Sequence, residues 1–400
     1  MFAGRVLFAG RGAGGGRVRA LFVVPPLTGH VNPTAAVGAE LIARGHDVAW
    51  AGHPATLEPL LPTGARVFPA IDDAPGTSLA EGRERWMNLR GAAALKFFWE
   101  EFTIPLASAM LPGVDEAIDS FAPDVVVADQ QALAGAVAAR RGGVAWVTSA
   151  STPAELLRPL AAMPKVEAWI SDQMTALQRA NGLDDPVDLR FSDRLVLAFS
   201  TAALIGDGPF PAQCAFTGPA LGRPDRGWFP WEWLDPARRH ILVSLGTLNG
   251  PAGQRFFRVV TEALDGLGRD LQAVVVGPPV PGAGEHILFT GHVPQLALLP
   301  RLDAVVSHGG YNTVGETLAH GLPLVVTPIR DDQPLIAQRV ADAGAGIRLR
   351  FGRLRPAELR DAVRAVLTGD SYRIAAGTIR DSFIAAGGAP AAADHLEKLS

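Results

Sequence analysis

The chain of 400 residues contains only one cysteine, Cys214, and has no long run of basic residues. A single thiol forms neither a disulfide nor a thiolate metal cage within one chain, which is typical of proteins of a reducing cytoplasm. No stretch of about 18 apolar residues occurs, and the N-terminus has no secretory apolar core. We therefore expect a cytoplasmic protein with no stable membrane insertion.

The net charge of −4 argues against nucleic acids and anionic membrane surfaces as partners. Small molecules are the expected ligands, and the sequence gives no indication of an oligomeric state. A hydrophobic content of 48%, with 44 glycines and 32 prolines, indicates tightly turned α/β structure. A chain of 400 residues exceeds one usual core, so two domains are expected.

Strand-like runs alternate with helical stretches along both halves of the chain. The strand-like runs lie at residues 20–24, 48–51, 125–128, 144–147, 241–245, 272–276, 303–307 and 324–327. Helical stretches such as 33–44 and 133–140 lie between them. This alternation predicts an α/β fold with a doubly wound, Rossmann-like parallel sheet in each domain.

Residues 206–230 are dense in glycine and proline and indicate the end of the first domain followed by a linker. The predicted boundaries are 18–217 for the N-terminal domain, 218–232 for the linker, 233–370 for the C-terminal domain and 371–400 for C-terminal helices. Residues 1–17 are predicted to be a flexible extension. The glycine-rich run at 10–16 is not interpreted as a dinucleotide loop, because the first strand follows it instead of preceding it.

The most informative segment of the sequence spans residues 304–333. Val305 and Val306 are typical of a buried parallel strand, and Gly309-Gly310 allows close approach to a ligand before a helix that begins near Tyr311. The free amides at such a helix start can hold a phosphate. Asn312 and Glu316 are four residues apart, so they share one helix face, and His308 precedes the turn.

This segment resembles the donor signature of UDP-sugar-dependent glycosyltransferases with the GT-B fold, the UDP-glucuronosyl/glucosyltransferase superfamily. The matching residues are 308–313, Glu316, 321–323 and 332–333, with further matches at 293–295, 244–247 and 29–33. Within the family the sequence is most similar to bacterial enzymes that glycosylate macrolides, carotenoids and other lipophilic natural products. The resemblance implies two domains facing across a cleft, with the C-terminal helices crossing back onto the first domain.

The resemblance also implies how a nucleotide sugar would be held. The residues implied for the diphosphate, the nucleoside and the sugar are Thr247, His292, Val293, Gln295, His308, Gly310, Asn312, Thr313, Glu316, Tyr311, Asp332 and Gln333. Glu316 and Gln295 match ribose contacts, whereas Tyr311, Asp332 and Gln333 match the sugar end. His292 stands where many relatives have a base-stacking tryptophan, so both uridine and thymidine remain open. Without the resemblance, Glu316 is interpretable as a solvated helix carboxylate and Asp332 as a helix N-cap.

No Asp-x-Asp pair occurs in the sequence, which disfavours a metal-dependent transferase. Hydrogen-bond donors at a helix start can neutralise the charge of a departing nucleoside diphosphate in place of a metal ion. We therefore expect no metal and no bound cofactor. The co-substrate is expected to be a nucleotide-diphosphate sugar such as UDP-glucose.

Gly29-His30 follows the first strand, and the resemblance implies that His30 is the general base of the reaction. An imidazole with a pKa near 6.5 can take the proton of a hydroxyl as that hydroxyl attacks. Asp129, at the end of the strand at 125–128, matches the carboxylate that orients this base. The alternatives are a structural histidine and an aspartate that caps the following helix.

The expected reaction is an inverting transfer of a hexose, glucose in the first instance, onto a hydroxyl of a lipophilic natural product. The residues interpreted as lining the acceptor pocket are Trp86, Phe98, Trp99, Phe102, Met110 and Trp169. Two alternatives remain at this stage. One is a dTDP-deoxysugar-dependent transferase of antibiotic biosynthesis, and the other is a non-catalytic partner protein that binds nucleotide sugars.

Overall fold

The computed structural model describes residues 16–72, 85–86, 89–223, 227–246 and 252–399. The glycine-rich run before residue 16, most of the predicted extension at 1–17 and the predicted phosphate contact Thr247 lie outside the described residues. In the described part, thirteen strands form two separate parallel sheets. The strands are β1 (Arg19–Val23), β2 (Asp47–Gly52), β3 (Arg66–Pro69), β4 (Val125–Asp129), β5 (Ala145–Ala150), β6 (Val196–Ala198), β7 (Cys214–Phe216), β8 (Arg239–Ser244), β9 (Leu271–Val276), β10 (Ile287–Thr290), β11 (Ala304–Ser307), β12 (Leu324–Val326) and β13 (Gly346–Arg348).

Helices connect the strands and cover both faces of each sheet. Within the described residues they are α1 (Thr28–Ala43), α2 (Pro54–Leu57), α3 (Gly91–Phe97), α4 (Ile104–Phe121), α5 (Leu133–Arg141), α6 (Pro164–Ala180), α7 (Ala202–Ile205), α8 (Ala252–Asp265), α9 (Gln295–Leu298), α10 (Tyr311–Ala319), α11 (Gln333–Asp342), α12 (Pro356–Thr368), α13 (Asp370–Ala386) and α14 (Gly388–Glu397). A π-helical segment, Phe98–Thr103, joins α3 to α4.

The strand order is β3-β2-β1-β4-β5-β6-β7 in the first sheet and β10-β9-β8-β11-β12-β13 in the second. Every pairing is parallel, for example Phe22 opposite Val127 and Val306 opposite Val243. Parallel strands need crossover connections, which the helices supply. The α/β fold class predicted from the sequence, with two doubly wound sheets, is therefore confirmed.

Alternate residues along one strand enter different cores because successive side chains point to opposite faces of a sheet. Leu21 and Val23 of β1 pack in the core beneath α4 and α5, whereas Ala20 and Phe22 pack in the core beneath α1 and α14. Both faces are buried, so the strand is apolar throughout rather than alternating. The second sheet shows the same arrangement, and these packed faces hold the strand ends that carry the site.

The last helix of the chain, α14, packs on the N-terminal domain. Arg44 donates to Asp394 at 2.6 Å, and Nε2 of His46 lies 2.7 Å from Oε1 of Glu397. The amide of Gly388 also donates to the carbonyl of Thr217 at 2.6 Å. The polypeptide therefore crosses from one domain to the other twice, once near residue 218 and again near residue 387.

The apolar runs predicted as strands all correspond to observed strands, with small shifts at their ends. The sequence patterns missed β3, β6, β7, β10 and β13, which have only three or four residues each and lie at or next to sheet edges. Several of these strands are only partly buried, so they lack a continuous apolar run. Among the described residues, no helix has both the length and the apolar character needed to span a bilayer.

Candidate functional site

Both parts of the candidate site lie where a sheet reverses its strand order. In the first sheet β1 and β4 are neighbours, and in the second β8 and β11 are neighbours. The loops that leave such a pair of strands turn to opposite sides and open a crevice at the carboxyl edge. His30 follows β1 and Asp129 ends β4, while His308 follows β11. Both histidines therefore lie at the point where the strand order reverses, but on different strands of the pair, since β11 corresponds to β4 and not to β1.

His30 lies in the first turn of α1, which begins at Thr28 and not at Pro33 as predicted from the sequence. Pro33 lies inside this helix, and its missing N–H leaves the carbonyl of Gly29, four residues earlier, without a helical donor. That carbonyl instead accepts a hydrogen bond of 3.1 Å from Nδ2 of Asn312. A proline in the N-terminal domain thus leaves a carbonyl free for a direct contact with the C-terminal domain.

Two side chains, those of Asp129 and Ser151, contact the ring nitrogen Nδ1 of His30. Oδ1 of Asp129 lies 2.9 Å from Nδ1, and Oγ of Ser151 lies 2.7 Å from it. Ser151 also donates to Oδ2 of Asp129 at 2.7 Å, and the amide of Gln131 donates to Oδ1 at 2.9 Å. A carboxylate has no proton to give, so this pattern assigns the proton to Nδ1 and leaves the lone pair on Nε2. Asp129 therefore acts both as a partner of His30 and as a cap of the turn that follows β4.

Opposing effects act on the basicity of His30. Burial lowers its pKa, but the charge of Asp129, the hydrogen bond to Asp129 and the charge of Asp332 together outweigh burial, so the pKa lies above its usual value. Asp332 belongs to the other domain, at the start of α11. The base is therefore tuned by carboxylates from both sides of the cleft.

The two loops of the donor domain that face the cleft form the same turn. Ser244, which ends β8, accepts the amide of Gly246 at 3.2 Å, and Ser307, which ends β11, accepts the amide of Gly309 at 3.1 Å. Both glycines have left-handed backbone angles, with φ of 70° and 89° respectively. Only glycine adopts these angles without strain, which explains the glycines after each strand.

His308 is packed between glycine backbones. A Cβ added to Gly246 would lie 2.7 Å from Cε1 of His308, and one added to Gly310 would lie 2.5 Å from its Nε2. Burial lowers the pKa of His308 to about 4, and the positive charge of Arg330 adds to this effect while the backbone of Ser244 opposes it. His308 is therefore a neutral imidazole near pH 7, able to donate one hydrogen bond without carrying a charge.

Helix α10 begins directly after Gly310, which has no side chain to cap the amides of the first turn. Within the described residues these amides, with the partly buried Asn312 and Thr313, lie where an anion can bind. The contact between Asn312 and Gly29 fixes the orientation of this helix start. It faces the turn that carries His30, as a transfer across the cleft requires.

Glu316 and Gln295 form a pair at the predicted ribose position. Nε2 of Gln295 donates to Oε2 of Glu316 at 2.5 Å. Burial raises the pKa of Glu316 to about 7, although the bond from Gln295 acts in the opposite direction. Glu316 is thus not simply a solvated carboxylate on a helix. Nearby, Val293 is buried in the core of the domain, while His292 is exposed and lies where a base could stack.

Asp332 and Gln333 use their side chains differently. Asp332 occupies the N-cap position of α11 but makes no side-chain capping bond. Its Oδ2 instead accepts a hydrogen bond of 2.6 Å from Thr152 of the N-terminal domain. The side-chain oxygen of the buried Gln333 accepts the amides of Ile329 and Arg330, at 3.0 and 3.1 Å. Gln333 therefore shapes the loop that presents Asp332, and its oxygen is already used.

Tyr311 does not contact the sugar position in the manner predicted from the sequence. Its hydroxyl donates to the carbonyl of Phe199 at 2.5 Å, and its ring is buried with Leu204, Ile205 and Phe383. Burial also raises the pKa of this hydroxyl, with a hydrogen bond to Ser200 opposing the effect. Tyr311 thus ties the donor helix α10 to the first domain, because the ring faces the domain contact and not the cleft.

The six residues predicted to line the acceptor pocket divide into two groups. Met110 is fully buried and Trp99 is 3% exposed, so both belong to the first-domain core and are corrected to structural residues. Trp86, Phe98, Phe102 and Trp169 are partly exposed. The rings of Trp86 and Phe102 are nearly parallel, at 17° and 6.0 Å between centroids, and Phe98 lies 6.0 Å from Phe102. Phe98 and Phe102 lie on the π-helical segment, and the ring of Trp86 packs against both.

Sequence patterns missed two residues of the site, Ser151 and Thr152. They follow β5, and β5 pairs with β4 so that Ser149 lies opposite Asp129. A serine two residues beyond that position therefore falls beside the carboxylate. The polar residues in 148–152 could have indicated a contact with Asp129, but only with the knowledge that β5 lies next to β4.

The sequence of the chain is similar to those of several known proteins. A family model described as "Erythromycin biosynthesis protein CIII-like, C-terminal domain" matches residues 279–399. The chain is 28% identical to 4'-demethylrebeccamycin synthase of Lentzea aerocolonigenes, over 95% of this chain and 99% of that protein. It is also 28% identical to demethyllactenocin mycarosyltransferase of Streptomyces fradiae, over 94% of this chain and 86% of that protein.

Solved structures agree with the observed fold. The glycotransferase of kitacinnamycin superposes with a TM-score of 0.77 at 25% identity, covering 96% of this chain and 99% of that one. The calicheamicin glycosyltransferase CalG4 superposes with a TM-score of 0.72 at 24% identity, covering 96% and 98%. The second likeness, at lower identity, is evidence of shared fold only.

Proposed function

The chain belongs to the GT-B superfamily of nucleotide-sugar glycosyltransferases of natural-product type, and from this premise we propose that it transfers a hexose from a nucleoside diphosphate by inverting displacement. The observation that carries this proposal is the placement of the His30–Asp129 pair opposite the start of α10. The two are linked by the bond of 3.1 Å from Asn312 to Gly29.

In the proposed reaction, Nε2 of His30 takes the proton of an acceptor hydroxyl as its oxygen attacks the anomeric carbon. Asp129, which is buried, stabilises the imidazolium that forms. His308, Asn312 and the first-turn amides of α10 stabilise the charge on the departing diphosphate. Attack from the face opposite the diphosphate inverts the anomeric configuration in one step.

The donor is proposed to be UDP-glucose. Support comes from the Glu316–Gln295 pair, since a carboxylate and an amide side by side suit the two hydroxyls of a ribose. Asp332 is the residue proposed to bind hydroxyls of the sugar. It already accepts a hydroxyl from Thr152, at 2.6 Å, so its surroundings suit an acceptor of O–H donors.

A dTDP-linked sugar is the second candidate. The observation that favours it is His292, an exposed residue with a smaller stacking face than the tryptophan of many relatives. One related fold, the glycosyltransferase VinC, was solved in complex with dTDP at 19% identity. The two candidates differ at the 2′-hydroxyl that Glu316 would hold.

The acceptor is proposed to be a lipophilic molecule with aromatic surface. Trp86, Phe98 and Phe102 offer partly exposed, closely spaced rings, on which a flat apolar molecule can pack. Glycosylation at oxygen is favoured because the base stands ready to accept a hydroxyl proton.

A donor series tests the proposal directly. UDP-glucose, dUDP-glucose and dTDP-glucose carry the same sugar, and dUDP-glucose differs from UDP-glucose only at the 2′-hydroxyl. We expect product with inverted configuration by mass spectrometry and NMR, and kcat/KM for UDP-glucose about 10-fold or more above that for dUDP-glucose. Equal values would favour the dTDP candidate. No product from any donor, with an aromatic and a macrolide acceptor panel, would favour the non-catalytic partner.

A further inference from the structure

The residues that follow β5 make contacts that the His30–Asp129 pair does not explain. Ser151 is 3% exposed and lies within 2.7 Å of both members of the pair. Its neighbour Thr152 donates to Asp332 across the cleft at 2.6 Å. Adjacent residues on one turn thus contact the proposed base, its carboxylate partner and the proposed sugar-binding carboxylate.

We propose that Ser151 and Thr152 are positioning residues, Ser151 holding His30 in its base-competent tautomer and Thr152 holding Asp332 against the base when the cleft is closed. This inference rests on the proposed transferase function. It adds a pair of residues on the acceptor domain that link the base to the donor-binding loop.

The role of Ser151 follows from which atoms around His30 carry a hydrogen. Its hydroxyl hydrogen points to Oδ2 of Asp129, because a carboxylate can only accept. The lone pairs of Oγ then face Nδ1 of His30, which must carry a hydrogen to satisfy both Oγ and Oδ1. Ser151, with its hydrogen directed to Asp129, therefore adds to the effect of Asp129 in disfavouring the tautomer with the hydrogen on Nε2, and that tautomer could not take a proton from the acceptor.

The role of Thr152 follows from the charges around His30. The ionisable groups that act on it are Asp129 from β4 and Asp332 from the start of α11. Asp129 belongs to the same domain as His30, whereas Asp332 belongs to the other domain and is joined to the domain of His30 by the Thr152 bond. Loss of the Thr152 hydroxyl would therefore weaken the influence of the second carboxylate without touching the first.

Paired variants test Ser151. S151A removes the hydroxyl, and S151T keeps it. We expect S151A to lower kcat about 10- to 100-fold with little change in the KM for the donor, as expected for a lost hydrogen bond to a charged group. S151T should recover most of the activity. The loss in S151A should shrink for an acidic phenol acceptor that is already ionised at the assay pH, because that acceptor needs no base.

Paired variants also test Thr152. In T152V the negative charge of Asp332 is no longer held near His30. The pKa of His30 should therefore fall towards the value that it would have beside Asp129 alone. Since His30 must be unprotonated to act, the acid limb of the kcat/KM profile should move to lower pH, and the plateau should fall several-fold. T152S keeps the hydroxyl and should follow the wild-type profile.

The outcomes separate this inference from the proposed function. A wild-type protein without transferase activity would reject the proposed function itself. An active wild type with S151A losing equal activity towards ionised and neutral acceptors would overturn the role of Ser151. An unshifted pH profile in T152V, with thermal unfolding unchanged in all four variants, would overturn the role of Thr152.

Discussion

His30 and His308 each follow one of the two central strands where the sheet order reverses, His30 after β1 and His308 after β11, the counterpart of β4, and their surroundings differ. Carboxylates from both domains raise the pKa of His30 against the effect of burial. Burial lowers the pKa of His308 to about 4, without a carboxylate to oppose it. The same side chain at the carboxyl edge of each sheet thus has a raised pKa in one domain, which suits the proposed proton acceptor, and a lowered pKa in the other, which suits a neutral hydrogen-bond donor.

The difference arises from the neighbouring strands. In the first domain, β4 ends in Asp129 and β5 is followed by Ser151, so the histidine meets a carboxylate and a hydroxyl. In the second, β8 is followed by Gly246, whose backbone covers one side of the imidazole. Doubly wound sheets fix where a site forms, but the residues at adjacent strand ends decide what it does.

The most direct test of the proposed difference between the two histidines is to remove the imidazole of His30. His30→Ala should lower kcat by about 10²–10⁴-fold, the contribution of a general base, because the variant loses the imidazole that takes the proton. Donor affinity, measured by calorimetry with UDP, should remain nearly unchanged. His395→Ala, on the distant helix α14, serves as the control. Turnover near the wild-type level in His30→Ala would reject the base.

The second test disturbs the other histidine without replacing it. Gly310→Ala places a Cβ 2.5 Å from Nε2 of His308, so the imidazole must shift, and we expect kcat/KM to fall about 10²-fold, as when an oxyanion donor is lost. Gly377→Ala on α13 is the matched control, because no atom lies within 4 Å of its added Cβ. Similar kinetics for the two variants would show that His308 is not part of the diphosphate site.

The third test uses the pKa of Glu316, which burial raises to about 7. The ionised carboxylate is the stronger acceptor for ribose hydroxyls, so lowering the pH from 8 to 6 protonates it and should raise the Kd for UDP about 10-fold. Glu316→Gln does not titrate, and its Kd should be weaker at pH 8 and nearly constant over the same range. A wild-type Kd that is independent of pH would contradict the ribose contact.

The smallest expected effect concerns the link between the two halves. Pro33→Ala supplies an N–H that competes with Asn312 for the carbonyl of Gly29, so kcat/KM should fall by about 2- to 5-fold. Pro164→Ala, at the start of α6, is the control because that proline lies in the first helical turn. An equal fall in kcat/KM in both variants, together with an equal fall in their thermal unfolding temperatures, would indicate a general loss of stability.

Much of the fold was predictable because buried parallel strands are apolar throughout and stand out from the surrounding helices. The residues at the ends of those strands were predictable too, and the structure pairs His30 with Asp129 and joins Asn312 and Asp332 to the domain that carries them. Short edge strands were missed, because three or four half-buried residues carry no distinct pattern.

The remaining errors concern which way a side chain faces. Tyr311 and Trp99 are aromatic residues within segments of the predicted site, yet one ties two domains together and the other fills the core. Ser151 was missed because a serine after a strand is common, and its contact with Asp129 depends on strand order. Such contacts are set by packing between distant segments, which local sequence does not encode.

The return of α14 to the first domain has a mechanical consequence. Two covalent crossings, near residues 218 and 387, lie close together, since the amide of Gly388 donates to Thr217 at 2.6 Å. Two domains connected at two neighbouring points can rotate about the line that joins these points, but they cannot move apart from each other. We therefore expect substrate entry and product release to occur by rotation about this line, with Asn312 and Thr152 at the moving rim.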